Sequence, residues 1–210
     1  KPKNNLSSIY VLKNKKDSIY FEVGKPPNKN YSSCYQSGPL SFEYFCDDQK
    51  IITNSGFGVN ISKKARLLSR FTSSQSALCL NDTSIVGFEK SNMMNKAYGF
   101  LIKRDFNILN LKHKDDANES QVSAGHDAYY KNFGCMHNRT LIIDKIKNKI
   151  VGQDKLLQES VKSKIKYDIR FHLYPGLSAV QTLGGNTLLI QINKNKALLF
   201  STNGESLKIE

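Results

Sequence analysis

Residues 9–23 read IYVLKNKKDSIYFEV, two short apolar stretches on either side of a polar turn. Residues 9–12 and 19–23 have the length and the aromatic and β-branched content of strands. Residues 14–17 between them have the composition of a hairpin turn. We therefore expect an opening antiparallel hairpin, which ends before Pro26 and Pro27 because proline cannot donate to a strand ladder.

The same two-residue alternation of apolar and polar side chains recurs along the chain, with Gly, Asn or Asp in most of the connections. It predicts further strands at residues 40–46, 50–53, 76–80, 99–106, 140–145, 150–156, 166–174, 187–192 and 197–201. Ten or more strands favour an all-β fold, either an antiparallel two-sheet β-sandwich or a barrel. Turns are expected at Asn148, 184–186 and 193–195.

Two segments depart from the strand pattern. Residues 62–70 fit either a turn or two of helix or a loop. Residues 112–123 are polar and mixed in charge, so we expect a mobile surface loop there.

Size and composition limit the class of protein. The 210 residues, 39% of them hydrophobic, suffice for one sizeable core or two small ones, and a single domain over residues 1–210 is the simplest expectation. No apolar run approaches the roughly 18 residues that a membrane-spanning helix needs. The start, KPKN, has neither Met nor an apolar leader, so we expect a processed product or a piece of a longer polypeptide.

The net charge of +13 favours binding to polyanions such as nucleic acid, anionic lipid or acidic polysaccharide. The abundance of Lys, Asn and Ile is equally what an A+T-rich coding sequence produces. Basic residues are spread throughout and no RNA-reading aromatic signature is present, so we expect no nucleic acid partner.

The four cysteines, Cys34, Cys46, Cys79 and Cys135, are too widely spaced and too few for a disulfide scaffold. Three pairings are possible if they are oxidised, but free thiols are the favoured state. Cys135 and His137 could supply two metal ligands, yet no second pair has zinc-like spacing.

Two segments carry candidate chemistry. Residues 125–130 place His126 and Tyr129 close together, and His126 could carry a proton near neutral pH or simply tie a turn. In residues 170–176, Arg170, His172 and Tyr174 would share one face of a strand, which could bind an anion or only cover the outer face of a sandwich. No nucleophile elbow, phosphate loop, His-Glu-x-x-His or nucleotide fingerprint is present, which argues against those enzyme classes.

Seven short blocks, taken in order, resemble the C-terminal β-sandwich domain of the heparinase II/III family of polysaccharide lyases. The blocks are residues 38–44 (GPLSFEY), 54–56 (NSG), 65–76, 126–129 (HDAY), 137–139, 152–154 and 170–175 (RFHLYP). They span roughly residues 18–205. Residues 24–27 are similar to the version of this domain in bacterial heparinase II/III-like proteins.

The resemblance implies one wall of a cleft for an acidic, uronate-containing polysaccharide, with an N-terminal α-helical toroid of the same protein as the other wall. Cleavage in such lyases is a β-elimination, in which a base removes the C5 proton and an acid protonates the leaving O4. A Tyr and an Asn of the toroid carry much of it, helped by a His of the sandwich. The resemblance also implies a bacterial periplasmic location, with the cytoplasm as the alternative.

This chain departs from the family pattern at the positions that matter for chemistry. Cys34 stands where the family has a catalytic His, and Gln36, Asn54 and Gln75 stand where it has ligands of a structural zinc. Amides are poor zinc ligands, so we predict no zinc, no other cofactor, and amides that hydrogen-bond to one another.

Three hypotheses follow. The first is a lyase wall, inactive in isolation, with His126, Tyr129 and Cys34 as candidate catalytic residues and Arg66, Arg70, Arg170 and His172 as substrate contacts. The second is a catalytically inactive glycan-binding or structural module, and the third is a generic polyanion binder.

Overall fold

The structure, a computed structural model, describes residues 5–6, 8–89, 99–158, 165–204 and 206–210. Its strands are β1 (Asn5–Leu6), β2 (Ile9–Lys13), β3 (Asp17–Glu22), β4 (Phe42–Cys46), β5 (Gln49–Thr53), β6 (Leu78–Leu80), β7 (Ile108–Asp115), β8 (Glu119–His126), β9 (Cys135–Asp144), β10 (Lys149–Gln158), β11 (Tyr167–Ile169), β12 (His172–Leu173), β13 (Ser178–Gln181), β14 (Thr187–Asn193) and β15 (Lys196–Ser201). Its α-helices are α1 (Lys63–Leu68) and α2 (Tyr130–Phe133).

The strands form four antiparallel sheets, with strand orders β1-β2-β3-β4-β5-β12, β10-β9-β8-β7, β11-β6 and β13-β14-β15. The predicted all-β sandwich is confirmed. Alternation decides which face is buried: along β9 every second residue from Cys135 is buried, and β14 buries Leu188, Ile190 and Ile192. No helix in the described ranges is long and apolar enough to cross a membrane.

The main core is formed by residues of the six-stranded sheet together with residues of the four-stranded and three-stranded sheets. Ile19 and Phe21 of β3 belong to the same buried cluster as Leu141 and Ile143 of β9 and Ile190 of β14. A second cluster surrounds β6 and includes Leu78, Leu80, Ile102 and Tyr129. The loops that join these two clusters carry the candidate site.

The predicted hairpin turns are confirmed. Asn14 Oδ1 accepts the N–H groups of Lys16 and Asp17 at 2.7 and 2.6 Å, which closes the β2–β3 turn. Asn148 adopts the left-handed conformation (φ 49°) at the β9–β10 tip. In residues 62–70 the helical alternative is the one adopted, and α1 is capped by Ser62 Oγ, which accepts the Ala65 N–H at 3.0 Å.

The expected loop at residues 112–123 is wrong, because these residues form most of the β7–β8 hairpin. Most of β7 is exposed at the edge of its sheet, so its sequence lacks an apolar alternation. The hairpin is closed by Asp116, whose Oδ1 accepts the N–H groups of Asn118 and Glu119, each at 2.9 Å.

Two predicted strands are also corrected. Residues 99–106 form a single bridge, between Ile102 and Phe88, because side chains satisfy much of this backbone instead of a ladder. Residues 166–174 divide into β11, which pairs with β6, and β12, which pairs with β5. The chain passes from one sheet to another at Arg170, so Arg170, His172 and Tyr174 do not form one row on a continuous strand.

Leu141 and Leu199 allow a matched test of the core. Leu141 is 2% exposed and Leu199 is 71% exposed. We expect Leu141→Ala to lower the free energy of unfolding by about 2–5 kcal/mol, and Leu199→Ala by no more than about 0.5 kcal/mol. Urea denaturation measures both, and equal losses would contradict the placement of the core.

Candidate functional site

The three amide positions lie around the same loops, but they do not bond to one another in the described contacts. Gln36 Nε2 donates to the carbonyls of Gly56 (2.7 Å) and Ser69 (3.4 Å), and Gln75 Nε2 donates to Ser69 (2.9 Å). Asn54 Oδ1 accepts the N–H of Ser76 at 2.9 Å. Shared backbone partners, and not the expected amide–amide hydrogen bonds, hold these loops together.

The residues at these positions do not fit a zinc ion. Zinc in proteins is bound by thiolate, imidazole or carboxylate, whereas these side chains are neutral amides. Two of them turn their N–H groups toward carbonyls, and the oxygen of Asn54 already accepts a backbone N–H. Within the described residues, no three His, Cys, Asp or Glu side chains are grouped as metal ligands.

Glu22, which the sequence did not single out, lies beside the amides. A Cβ at Gly38 would stand 3.3 Å from Glu22 Oε2, 3.2 Å from Gln75 Cγ and 2.9 Å from Ser41 Oγ, so only glycine fits there without a shift of its neighbours. Burial raises the pKa of Glu22 to about 7. The same region therefore contains a carboxyl group that titrates near neutral pH.

Cys34 and Arg66 meet at the surface next to this region. Arg66 Nη2 lies 3.8 Å from Cys34 Sγ, and the guanidinium lies over the ring of Phe57, 5.6 Å from its centroid. Helix α1 carries Arg66, and Lys63 and Lys64 of the same helix are exposed. Of the predicted substrate-contacting arginines, Arg66 is the one placed beside Cys34.

His126 belongs to a buried chain of hydrogen bonds and has no exposed surface. Its Nδ1 accepts the Ala128 N–H (3.3 Å), so its proton is on Nε2, which faces His137 Nδ1 at 3.3 Å. His137 Nε2–H in turn donates to Asp154 Oδ1 at 2.6 Å. Burial lowers the pKa of both imidazoles, so both are neutral and ordered at neutral pH. This hydrogen-bond network holds His126 in the interior, where it joins His137 and Asp154.

Arg139 completes this network. Its Nε and Nη2 donate to the two oxygens of Asp154 at 2.8 and 3.2 Å, and its Nη1 donates to the carbonyls of Leu40 and Ser76 at 2.8 and 2.9 Å. Burial opposes ionisation of Asp154, but Arg139 and His137 outweigh it and hold the pKa of that carboxyl well below its usual range. The sequence suggested a metal-ligand role for His137, and His137, Arg139 and Asp154 also lie in the blocks that carry the family resemblance, but no sequence pattern indicated this buried network. Had the alternation of β9 been followed back to Cys135, it would have placed His137 and Arg139 on the face of Leu141.

Arg70 and Tyr129 are likewise interior residues, each 1% exposed. Arg70 donates to the carbonyls of Tyr35 (2.8 Å), Phe100 (2.6 Å) and Ser32 (2.7 Å). Tyr129 Oη donates to the carbonyl of Leu78 at 2.9 Å. Arg70, predicted as a substrate contact, and Tyr129, predicted as a catalytic residue, are thus both hydrogen-bonded to backbone carbonyls in the interior.

Arg170 and His172 lie apart from the Cys34–Arg66 pair. Arg170 Nη2 stands 3.7 Å from the exposed Asp82, and His172 is hydrogen-bonded through Nε2 to the carbonyl of Ser73 at 3.1 Å. Both side chains are half-buried at the crossing from β11 to β12. Their predicted contacts with a substrate stay predictions.

Comparison with known proteins decides the relationship. A family model described as "Heparinase II/III-like, C-terminal" matches residues 5–210. The chain belongs to this family. Membership relates it to polysaccharide lyases and to larger, multidomain proteins.

Individual relatives agree with this assignment. FtsZ-localized protein C of Caulobacter vibrioides is 24% identical over 181 residues, which make up 82% of this chain and 31% of that protein. The fold is similar to that of heparan sulfate lyase HepC from Pedobacter heparinus, with a TM-score of 0.71 and 14% identity over 96% of this chain and 28% of that one. A crystal structure of heparinase III has a TM-score of 0.66 and 16% identity, over 94% and 29% of the two chains. This chain thus spans less than a third of each relative's length.

Asp154→Asn tests the buried network. The substitution keeps the shape of the side chain but leaves Arg139 without a counter-ion in the interior, which typically costs about 3–5 kcal/mol. We expect that loss in urea denaturation. Asp48→Asn is the same chemical change at an exposed turn residue with φ 63°, where Asn is well tolerated, and should change stability by less than about 0.5 kcal/mol. Similar effects of the two variants would contradict the network.

Glu22→Gln tests the raised pKa. An unfolded Glu has a pKa near 4.3, so as the pH rises the unfolded chain loses this proton before the folded chain does. The contribution of Glu22 to stability is therefore full below about pH 4 and is lost as the pH rises toward 7. The neutral amide avoids that loss, so Glu22→Gln should gain roughly 3 kcal/mol relative to the native chain between pH 4 and pH 8.

Urea denaturation over this pH range measures the difference. Glu210→Gln, at an exposed terminal position, is the matched control and should follow the native chain at every pH. A constant difference between Glu22→Gln and the native chain would show that the carboxyl titrates normally.

Proposed function

We propose that this chain forms one wall of a cleft for an acidic, uronate-containing polysaccharide within a larger heparinase II/III-like protein. The face toward the glycan is the edge formed by Cys34, Arg66 and Phe57. An N-terminal α-toroid of the same protein supplies the other wall. As part of this proposal the protein acts in the bacterial periplasm.

The observation that carries the proposal is the placement of Arg66. A guanidinium binds carboxylate and sulfate groups in a two-pronged fashion, and its charge strengthens these hydrogen bonds. Arg66 is half-buried against the face of Phe57, beside the exposed Cys34, and the exposed Lys63 and Lys64 of α1 add positive charge next to it. The overall charge of +13 favours the approach of an acidic chain from solution.

Cys34 favours a second candidate, a catalytically inactive glycan-binding module. β-Elimination needs a base that takes the C5 proton, and a thiol is a weak substitute for an imidazole in that role. Within the described contacts, Cys34 meets Ser33 and Arg66 and no imidazole. His126 and His137 are buried in their own network. The curated relative is also named for its localization with FtsZ and not for a reaction.

The experiment uses the longer protein that contains this chain. It is incubated with heparan sulfate, alginate and other uronates while binding is followed by calorimetry and unsaturated product by ultraviolet absorbance. We expect binding, and Arg66→Gln should weaken it about tenfold, which corresponds to 1.4 kcal/mol. Lys149→Gln, an exposed residue at the start of β10, removes the same charge and should leave affinity within twofold.

The outcomes separate the two candidates. Binding with a rise in absorbance favours the lyase wall and rejects the inactive module. Binding without a rise favours the inactive module. No binding to any acidic polysaccharide would reject the proposed function itself.

A further inference from the structure

We propose that a basic cleft between residues 26–29 and residues 102–105 is a second anion-binding subsite on the same wall, which takes a carboxylate or sulfate group of the glycan. This inference rests on the proposed function and extends it to Lys29, Lys103 and Arg104, which the sequence did not single out as ligand contacts. The cleft is defined by Pro26, Pro27, Lys29, Lys103 and Arg104, and has a volume of about 420 Å³.

The cleft has a rigid frame. Pro26 and Pro27 fix the backbone φ of one side. Asn28 caps the short helical turn that follows, since its Oδ1 accepts the Asn30 N–H at 3.2 Å. On the other side, Lys103 N–H donates to the carbonyl of Gly87 at 2.7 Å. A frame held in this way presents its side chains with little loss of conformational freedom when a ligand binds.

The charged groups in the cleft favour an anion. Lys29 pairs with Glu89 at 2.6 Å, and Lys103 also acts on the carboxyl of Glu89, whose pKa is lowered mainly by its hydrogen bond with Lys29. Arg104 uses Nη2 to donate to Asn132 Oδ1 at 3.1 Å, which orients its guanidinium. Asp105 also lines the cleft. Three cations, Lys29, Lys103 and Arg104, against the carboxylates of Glu89 and Asp105 leave a net positive site.

The cleft and the Cys34–Arg66 edge are connected through two hydrogen-bonded segments, residues 26–35 and residues 99–105. Ile102 N–H donates to Ser32 Oγ at 2.9 Å, and the buried Arg70 binds the carbonyls of Phe100 and Ser32 together. At the start of the second segment, a Cβ at Gly99 (φ 98°) would stand only 2.8 Å from Arg66 Nη2, so the arginine lies against this backbone.

This continuity limits the separation of the two sites. Lys103 follows Gly99 by four residues, which span at most about 14 Å even when fully extended. Arg66 at one end and Lys103 with Arg104 at the other are therefore spaced within reach of successive acidic groups on one glycan chain. Arg70 connects the two sides of the cleft, because it binds the carbonyl of Ser32 on the segment that carries Lys29 and the carbonyl of Phe100 on the segment that carries Lys103.

The test is a titration of the 210-residue chain with a heparan sulfate tetrasaccharide, followed by backbone amide NMR shifts. We expect shifts at Lys29, Lys103 and Arg104 as well as around Cys34 and Arg66. The double variant Lys103→Gln, Arg104→Gln should weaken binding by about tenfold. The control Lys147→Gln, Lys149→Gln removes the same charge at the exposed β9–β10 turn and should weaken it by less than twofold. Unchanged amide shifts away from the substituted residues show that each variant is folded.

Each outcome bears on one claim. Shifts confined to Cys34 and Arg66, with full affinity in the Lys103 and Arg104 variant, would overturn the second subsite and leave the proposed function standing. Shifts confined to the cleft would support the subsite and reject the Cys34–Arg66 edge as the glycan face. Equal losses in the variant and its control would reduce the effect to net charge and overturn the subsite, and no shifts anywhere would reject both claims.

Discussion

The guanidinium of Arg139 is the point on which the loops of the candidate site depend. A buried cation is tolerated only when its charge is paired and its N–H groups are hydrogen-bonded, because desolvation is otherwise too costly. Arg139 meets this condition with Asp154 on the neighbouring strand and with the carbonyls of Leu40 and Ser76. Leu40 leads into β4 and Ser76 leads into β6, so one side chain of β9 fixes the approach of two other sheets. Gly38 and Gln75 lie within two residues of these carbonyl groups, and their positions follow from the same bonds.

The strands were predictable where a tight turn and a buried face coincide. Asn14 and Asn148 mark turns that the backbone does adopt, and the alternation of β14 gives its buried face directly. Strand prediction failed where the hydrogen-bond partner of a backbone group is a side chain far away in the sequence. Phe100 and Ile102 are bound by Arg70 and Ser32, and no local pattern contains that information. The β7–β8 hairpin failed for another reason, since an exposed edge strand carries polar residues on both faces and resembles a loop.

The sequence predicted which residues lie near the candidate site, but not which of their side chains are buried. Matching Gln36, Asn54 and Gln75 to the family's zinc positions located three residues on neighbouring loops that hydrogen bonds join together. The same matching offered Arg70 as a substrate contact and His126 as a catalytic residue, yet both are interior. An arginine or a histidine can bind a ligand or satisfy backbone carbonyls with the same atoms, and only the packing around it decides between the two. Glu22 was missed because a single carboxyl at the end of an ordinary strand has no sequence signal of burial.

The amides explain how the site keeps its shape without ligands that suit zinc. Ser69 ends helix α1, and its carbonyl accepts from both Gln36 and Gln75. Each glutamine lies on a different loop, so the end of α1 is tied to both loops by bonds that need no formal charge. A zinc ion would fix the loops to each other, whereas the amides fix them to the helix that carries Arg66. Neutral amides whose N–H groups are satisfied by carbonyls cost little to bury, so these hydrogen bonds join the loops without adding charge to the interior. The hydrogen bonds that hold the end of α1, and with it Arg66, are supplied by this sequence itself, so the proposed anion-binding wall needs no metal-binding side chains at these positions.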